Sequence, residues 1–502
     1  MPTPDPHFPA VHLRPPANWI NDPNGLVFHD GHYHVYFQYN PHSARHADMH
    51  WGHYRSPDLV HWEHLPIALA PTAGGEDTGG VWSGNAVSTD GKLIAFYSAK
   101  RDDRWWQPIT SAVSHDGGLT FTKHPDLLIP QPPDDTSMFR DPYVWRDGDR
   151  WRMLVGAGLT DGRGAAQQYL SDDLEHWEYA GPFLARVPEP LPGGVDTEEG
   201  WECVQYADFG DGRGVLLLSA WDPHGGASHS AAYPGHDHGA HFAAEAPQRL
   251  DHGPEFYAPA LLRAPDHRWL MWGWAWEARD AAQVGAPSTW TDEVGWAGML
   301  TLPREVTLGP DGGVRQRPAR ELDALRGEET LRAKGQVTPG VPCDLGTTGR
   351  SFDLTARLQR SADGGAAAGL RLLTSPDGSE YLDIALDPAT GETVVDRTHA
   401  SHEPRAKGGS WRIPRTAEPG ESVELRIVVD CSIAEIFLGT GEALTLRFYA
   451  LGEGPWRLQA RAGGRGAAAF DLQAWQLNPI RIQDKSDLPL TSAVPDGNGG
   501  PS

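Results

Sequence analysis

The stretch GLVFHDGHYHVYFQY, Gly25 to Tyr39, decides the fold. It places two runs rich in aromatic and β-branched residues on either side of an Asp-Gly turn, which is the pattern of a hairpin. The arrangement returns as AVSTDGKLIAFYS from Ala86, YVWRDGDRWRMLVGAG from Tyr143, YADFGDGRGVLLLSAW from Tyr206 and LLRAPDHRWLMWGWAW from Leu261. The turn positions Gly31, Gly91, Gly148, Gly212 and Asp266 are separated by 60, 57, 64 and 54 residues. A second motif, SPDLVHW from Ser56, recurs as SHDGGLTF from Ser114 and SDDLEHW from Ser171. Intervals of that size hold four short strands, the content of one propeller blade. The expectation is an all-β chain opening with a five-bladed β-propeller over residues 1–318.

Reading outward to the polar residue ahead of each hairpin, Asp22 lies 9 residues before Gly31, Ser83 lies 8 before Gly91, and Asp141 lies 7 before Gly148. Glu202 lies 10 before Gly212, and Tyr257 lies 9 before Asp266. Innermost strands line the central channel of a propeller, so residues in phase at their starts converge on one mouth. An isolated Asp-Pro such as Asp22-Pro23 reads as a turn. Three carboxyl residues in phase read as a site.

The bulk composition narrows the function. The formal charge of −25 without a basic block opposes nucleic acid or an anionic membrane as partner. No run reaches the roughly 18 apolar residues of a membrane span, and the start carries no charged head followed by an apolar stretch. A cytoplasmic protein is expected, or a secreted one whose leader was removed. Cys203, Cys343 and Cys431 fit neither a disulfide framework nor a zinc motif and read as buried small residues. The histidine-rich tract from His224 to His241 has no closed ligand spacing and reads as a solvated loop; no metal and no cofactor are expected.

WINDPNG from Trp19, FRDP from Phe139 and WEC from Trp201 resemble, in order, three motifs of glycoside hydrolase family 32, the β-fructosidases. FQYNP from Phe37, HWGH from His50, WSG from Trp82, FYA from Phe256, LPRE from Leu302 and DCSIAEIF from Asp430 extend the resemblance over most of the chain. It implies a propeller followed by a β-sandwich, with Asp22 as nucleophile, Asp141 as the acid that binds sugar hydroxyls, and Glu202 as general acid and base. It further implies a sugar pocket built from Asn21, Gln38, Trp51, Trp82, Ser83, Arg140, Tyr257 and Trp274. The implied activity is retaining, exo-acting hydrolysis of terminal fructosides such as sucrose, inulin or levan. Fructosyl transfer by the same site, or sugar binding by an impaired one, are the alternatives. Three positions depart from the family pattern: His46 stands where a tryptophan is usual at the pocket edge, Val204 and Gln205 replace Pro-Asp after Glu202-Cys203, and Asn85 replaces a serine. These bear on preference more than on the reaction, because the three carboxyl groups remain.

After the fifth repeat, ARELDALRGEETLRA suggests a helical connector over residues 319–339. Strand-sized runs separated by turn residues then predict the sandwich over 340–483, and the polar end, 484–502, reads as a disordered tail.

Overall fold

In a computed structural model of the chain, residues 5–279, 289–340 and 342–487 are described. The five repeats are five blades. Blade I is Asn18–His29, His32–Asn40, His50–Ser56 and His61–Leu69; blade II is Gly80–Thr89, Lys92–Lys100, Ile109–Ser114 and Thr122–Lys123. Blade III is Thr136–Asp147, Arg150–Leu159, Gly164–Ser171 and Glu178–Arg186. Blade IV runs through Gly200–Gly210, Arg213–Asp222, Gly226–Asp237 and Phe242–Ala244. Blade V is Tyr257–Arg263, Trp269–Ala275, Arg304–Leu308 and Val314–Pro318. The first strand of each blade touches that of the next, and blade V returns to blade I, which closes the ring. Trp296–Ala297 adds a short parallel pairing with Asn18 and Trp19 across the junction.

Polar staples hold neighbouring blades in register, and two of them explain departures noted in the sequence. The Asn85 side chain donates to Val144 O at 2.8 Å and accepts from Val144 N–H at 2.9 Å, joining blades II and III. Gln205 Oε1 accepts the Leu261 N–H at 3.1 Å, joining IV and V. Val204 is fully buried in the core of blades III and IV.

Two six-stranded sheets form the sandwich, with Leu354, Leu370, Ile384, Ile427 and Ile436 among the fully buried residues between them. The expected helical connector is corrected. Only Arg320–Leu325 is helical, as a 3-10 segment, and Arg326–Val337 is a strand paired with Ala468–Leu477. Leu331, Ala333 and Val337 turn to the sandwich core with the period of two that a strand requires, so sheet pairing overrides the helix-favouring composition. The sandwich therefore begins before residue 340. At the other end, Arg481–Asp484 pairs in parallel with His61–His64 and covers the outer edge of blade I. The rest of the expected tail, from residue 488, lies outside the described residues. The histidine tract is likewise not one loop: Gly226–Asp237 is a strand of blade IV with His229 buried, its small residues fitting against Arg213–Asp222. Cys203 is buried, but Cys431 is half-buried and Cys343 exposed, on a strand at one edge of its sheet.

A buried ion cluster ties the sandwich to the propeller. Arg304 of blade V meets Glu435 at 2.6 Å and Asp251 at 2.8 Å, and His12 sits between Asp430 at 2.8 Å and Glu435 at 3.0 Å. Asp430 also accepts the backbone N–H groups of Ala10, Val11 and His12. Every charge in this cluster has a partner, which fully buried charges require.

Candidate active site

Each in-phase residue lies on the first strand of its blade, and each first strand is irregular there. The pairing registers shift between Ile20 and Pro23, Val81 and Gly84, Glu202 and Gln205, and Tyr257 and Ala260, and opposite Asp141 between Val155 and Gly156. The Asp22-Pro23 pair is thus a bulge inside a strand. Proline cannot donate to a sheet ladder, so Pro23, Pro142 and Pro259 are suited to bulges, and a bulge re-aims the side chains beside it. Asp141 and Cys203 have φ of 65° and 46°, a left-handed backbone that bulky residues adopt at a cost in strain.

These bulges bring the three carboxyl groups together. Ser83 Oγ donates to Asp22 Oδ2 at 2.6 Å. The Cys203 thiol lies 3.6 Å from that oxygen and 3.5 Å from Asp141 Oδ2, which also accepts the Cys203 N–H at 3.1 Å. Ser98 Oγ accepts the Asp141 N–H at 2.8 Å. Glu202 Oε1 accepts from Arg140 Nε at 2.7 Å, and Glu202 Oε2 accepts from Tyr257 Oη at 2.6 Å. Asp141 Oδ1 is buried without a partner among the described residues.

Burial pushes the Asp22 carboxyl up to about 6, with the charge of Glu202 adding to it and the Ser83 hydrogen bond opposing it. Burial also raises Asp141, reinforced by Glu202 and Asp22 and opposed by Arg140. The Cys203 thiol is driven well up by burial and by the surrounding carboxylates, so it remains a neutral donor. The sequence does not single it out as part of the site, although it directly follows Glu202 in the third motif.

An aromatic collar surrounds the carboxyl groups. Trp19 meets Trp274 at 5.7 Å and His46 at 5.9 Å, and His46 meets Trp82 at 5.7 Å, all edge to face. His46 is exposed on the rim, and Trp82 and Trp274 are partly exposed. Asn21 Oδ1 accepts the Trp19 indole N–H at 2.8 Å. Gln38 is buried with its amide on Val81 O at 2.9 Å. Trp51 is corrected as a sugar-facing residue: it is fully buried and donates its indole N–H to Trp82 O, so it supports Trp82 from behind. Collar residues that the sequence did not single out are Trp276, stacked on Tyr257 at 5.4 Å, and Trp221, 5.0 Å beneath the Arg140 guanidinium. A small gap of about 10 Å³ is lined by Ser83, Asp141 and Cys203 together with Pro23, Pro142 and Pro259. A larger cavity, about 770 Å³, lies at the junction of blade V and the sandwich and is lined by Arg315, Arg317, Arg426 and Phe437 rather than by the phased residues.

The sequence matches the Glycosyl hydrolases family 32 N-terminal domain over residues 12–318 and the family 32 C terminal over residues 321–476. The chain belongs to glycoside hydrolase family 32. Within that family it is 32% identical over 502 residues to a sucrose-6-phosphate hydrolase of Zymomonas mobilis, spanning 95% of this chain and 93% of the relative. It is 33% identical over 466 residues to a raffinose invertase of Escherichia coli, spanning 88% and 89%. The crystal structure of fructan 1-exohydrolase IIa from Cichorium intybus shares the fold with a TM-score of 0.81 at 23% identity, covering 96% of this chain and 99% of that one. The protein is accordingly a glycoside hydrolase of the β-fructofuranosidase type, a propeller joined to a sandwich. No helix among the described residues is long and apolar enough to cross a membrane.

Proposed function

We propose that the protein is a retaining exo-β-fructosidase that removes terminal β-fructofuranosyl units from sucrose and short fructans. The observation that carries this reading is the convergence of Asp22, Asp141 and Glu202 from three blades, with the Cys203 thiol in reach of the first two. An Asp22 oxygen forms a bond to the anomeric carbon of fructose as the glycosidic bond breaks, and Glu202 gives its proton to the departing oxygen. Water then loses a proton to Glu202, its oxygen bonds to the anomeric carbon, and Asp22 leaves as a carboxylate. Ser83 steadies the nucleophile, while Arg140 and Tyr257 orient Glu202. The unpartnered Asp141 Oδ1 is suited to accept from a sugar hydroxyl, so that Asp141 stabilises the oxocarbenium-like transition state from the side. Asn21 and Gln38 stand below the collar, and Trp82, Trp274 and His46 enclose the fructosyl ring.

Incubation with sucrose, inulin and levan, with product analysis and NMR of the first fructose anomer released, tests the reading. Fructose should appear singly and with retained β configuration, and Asp22→Asn should abolish turnover in a folded protein. A variant keeping a tenth of the wild-type rate would exclude Asp22 as nucleophile.

A further inference from the structure

The segment RDDRWWQP, Arg101 to Pro108, joins the second and third strands of blade II and takes no part in the chemistry above. It lies on the carboxylate face. Lys100, where it begins, pairs with Gly80, and the Lys100 ammonium stands 5.9 Å over the Trp82 ring. Near its end, Gln107 N–H donates to Phe139 O at 3.1 Å, next in sequence to Arg140. The loop therefore spans the rim between Trp82 and the Arg140-Asp141 pair. In blade I the loop between the second and third strands carries His46, which already touches Trp82.

Trp105, in this loop, is 52% exposed. An indole left so open contributes little to folding, because much of its apolar area stays in water. The loop beneath it is nevertheless braced. Trp106 meets Trp105 edge-on at 5.5 Å and donates its indole N–H to Pro130 O at 3.0 Å. Arg104 Nη2 donates to Glu76 at 2.7 Å, and Ala99 N–H donates to Pro108 O at 2.8 Å. A wide aromatic face, held in place beside a sugar pocket, meets a ligand ring at little cost in ordering entropy.

We propose that Trp105 is a stacking platform for a sugar on the leaving-group side of fructosides longer than a disaccharide. The inference rests on the fructosidase reading, in which the attacked fructosyl unit lies at Asp22 and only the departing part can extend past Trp82 and His46 to the rim. Trp105 would then set chain-length preference.

The test compares Trp105→Ala and Trp105→Phe with the wild type on sucrose and on an inulin-type tetrasaccharide. Trp105→Ala should raise KM for the tetrasaccharide about fivefold to tenfold relative to its effect on sucrose, the size of losing one well-placed aromatic contact. The tetrasaccharide kcat should hold, and Trp105→Phe should recover most of the loss. Unchanged tetrasaccharide-to-sucrose ratios in Trp105→Ala, with an unchanged melting temperature, would overturn the proposal. Binding is read separately, by tryptophan fluorescence of Asp22→Asn titrated with the tetrasaccharide. Adding Trp105→Ala should weaken that binding several-fold, and equal affinity would also overturn the platform. A wild-type protein that releases no fructose from either sugar would refute the fructosidase reading, while the titration still decides whether Trp105 holds the ligand.

Discussion

Replacing Asp22 by asparagine should stabilise the protein at neutral pH while destroying its activity. Burial and the charge of Glu202 hold the Asp22 carboxyl at about 6 in the folded state, against an ordinary value of 3.8. A carboxyl raised in this way binds its proton more tightly when folded. Its contribution to stability is therefore full below about pH 4 and is lost as pH rises through about 6. The gap between 3.8 and about 6 corresponds to about 3 kcal/mol of destabilisation once the group is ionised. Solvent reaching the mouth of the site reduces this to about 2 kcal/mol. Asparagine keeps an oxygen for Ser83 Oγ to donate to and carries no charge. The assay is urea unfolding of both proteins at about pH 7.5 and about pH 4, on either side of the titration. Asp22→Asn should be more stable by about 2 kcal/mol at the higher pH and by less than about 1 kcal/mol at the lower. Equal differences at the two pH values would refute the reasoning, since a change in packing or hydrogen bonding would not follow the titration.

Burial raises Asp22 even when Glu202 carries its proton, so the acid limb of kcat/KM, where the nucleophile takes up a proton, should lie above the ordinary carboxylate value, and a limb near 4 would show that Asp22 is not perturbed. Glu202→Ala should make deglycosylation limiting for a fructoside with an acidic leaving group. Added azide should then speed turnover and give β-fructosyl azide of retained configuration, whereas an inverted product would exclude a covalent intermediate on Asp22. Arg304→Met should cost about 3 kcal/mol or more, measured by urea unfolding, because it leaves Asp251 and Glu435 as buried charges without their cation; a loss under about 1 kcal/mol would mean water reaches the domain junction. His46→Trp should shift the ratio of sucrose to inulin cleavage by closing the exposed rim beside Trp82, and unchanged specificity constants would place His46 outside the substrate path.

Repetition makes the propeller legible in the chain itself. Five Asp-Gly or Asp-His turns at a near-constant interval imply five equivalent blades, and residues in phase with them have to meet at one mouth, since equivalent positions in a closed ring face a common axis. Asp22, Asp141 and Glu202 stand out on that ground, and the ordered motifs point to the family. What pairing and burial decide is not legible in the same way. Arg326–Val337 has a composition that suits a helix, yet the open edge of the sandwich makes it a strand. Asp22-Pro23 looks like a turn, and only the ladder of blade I shows the bulge. Trp51 and Trp82 are alike in sequence, but one is sealed in the core and the other opens to the pocket. Cys203 takes its meaning from two carboxylates contributed by other blades, and Trp105 from an exposure that its neighbours in sequence do not reveal. A local pattern fixes period and phase because it depends on the chain alone. Solvent access, proton affinity and the direction of a side chain at a bulge depend on distant segments, and so they are decided only when the ring closes around them.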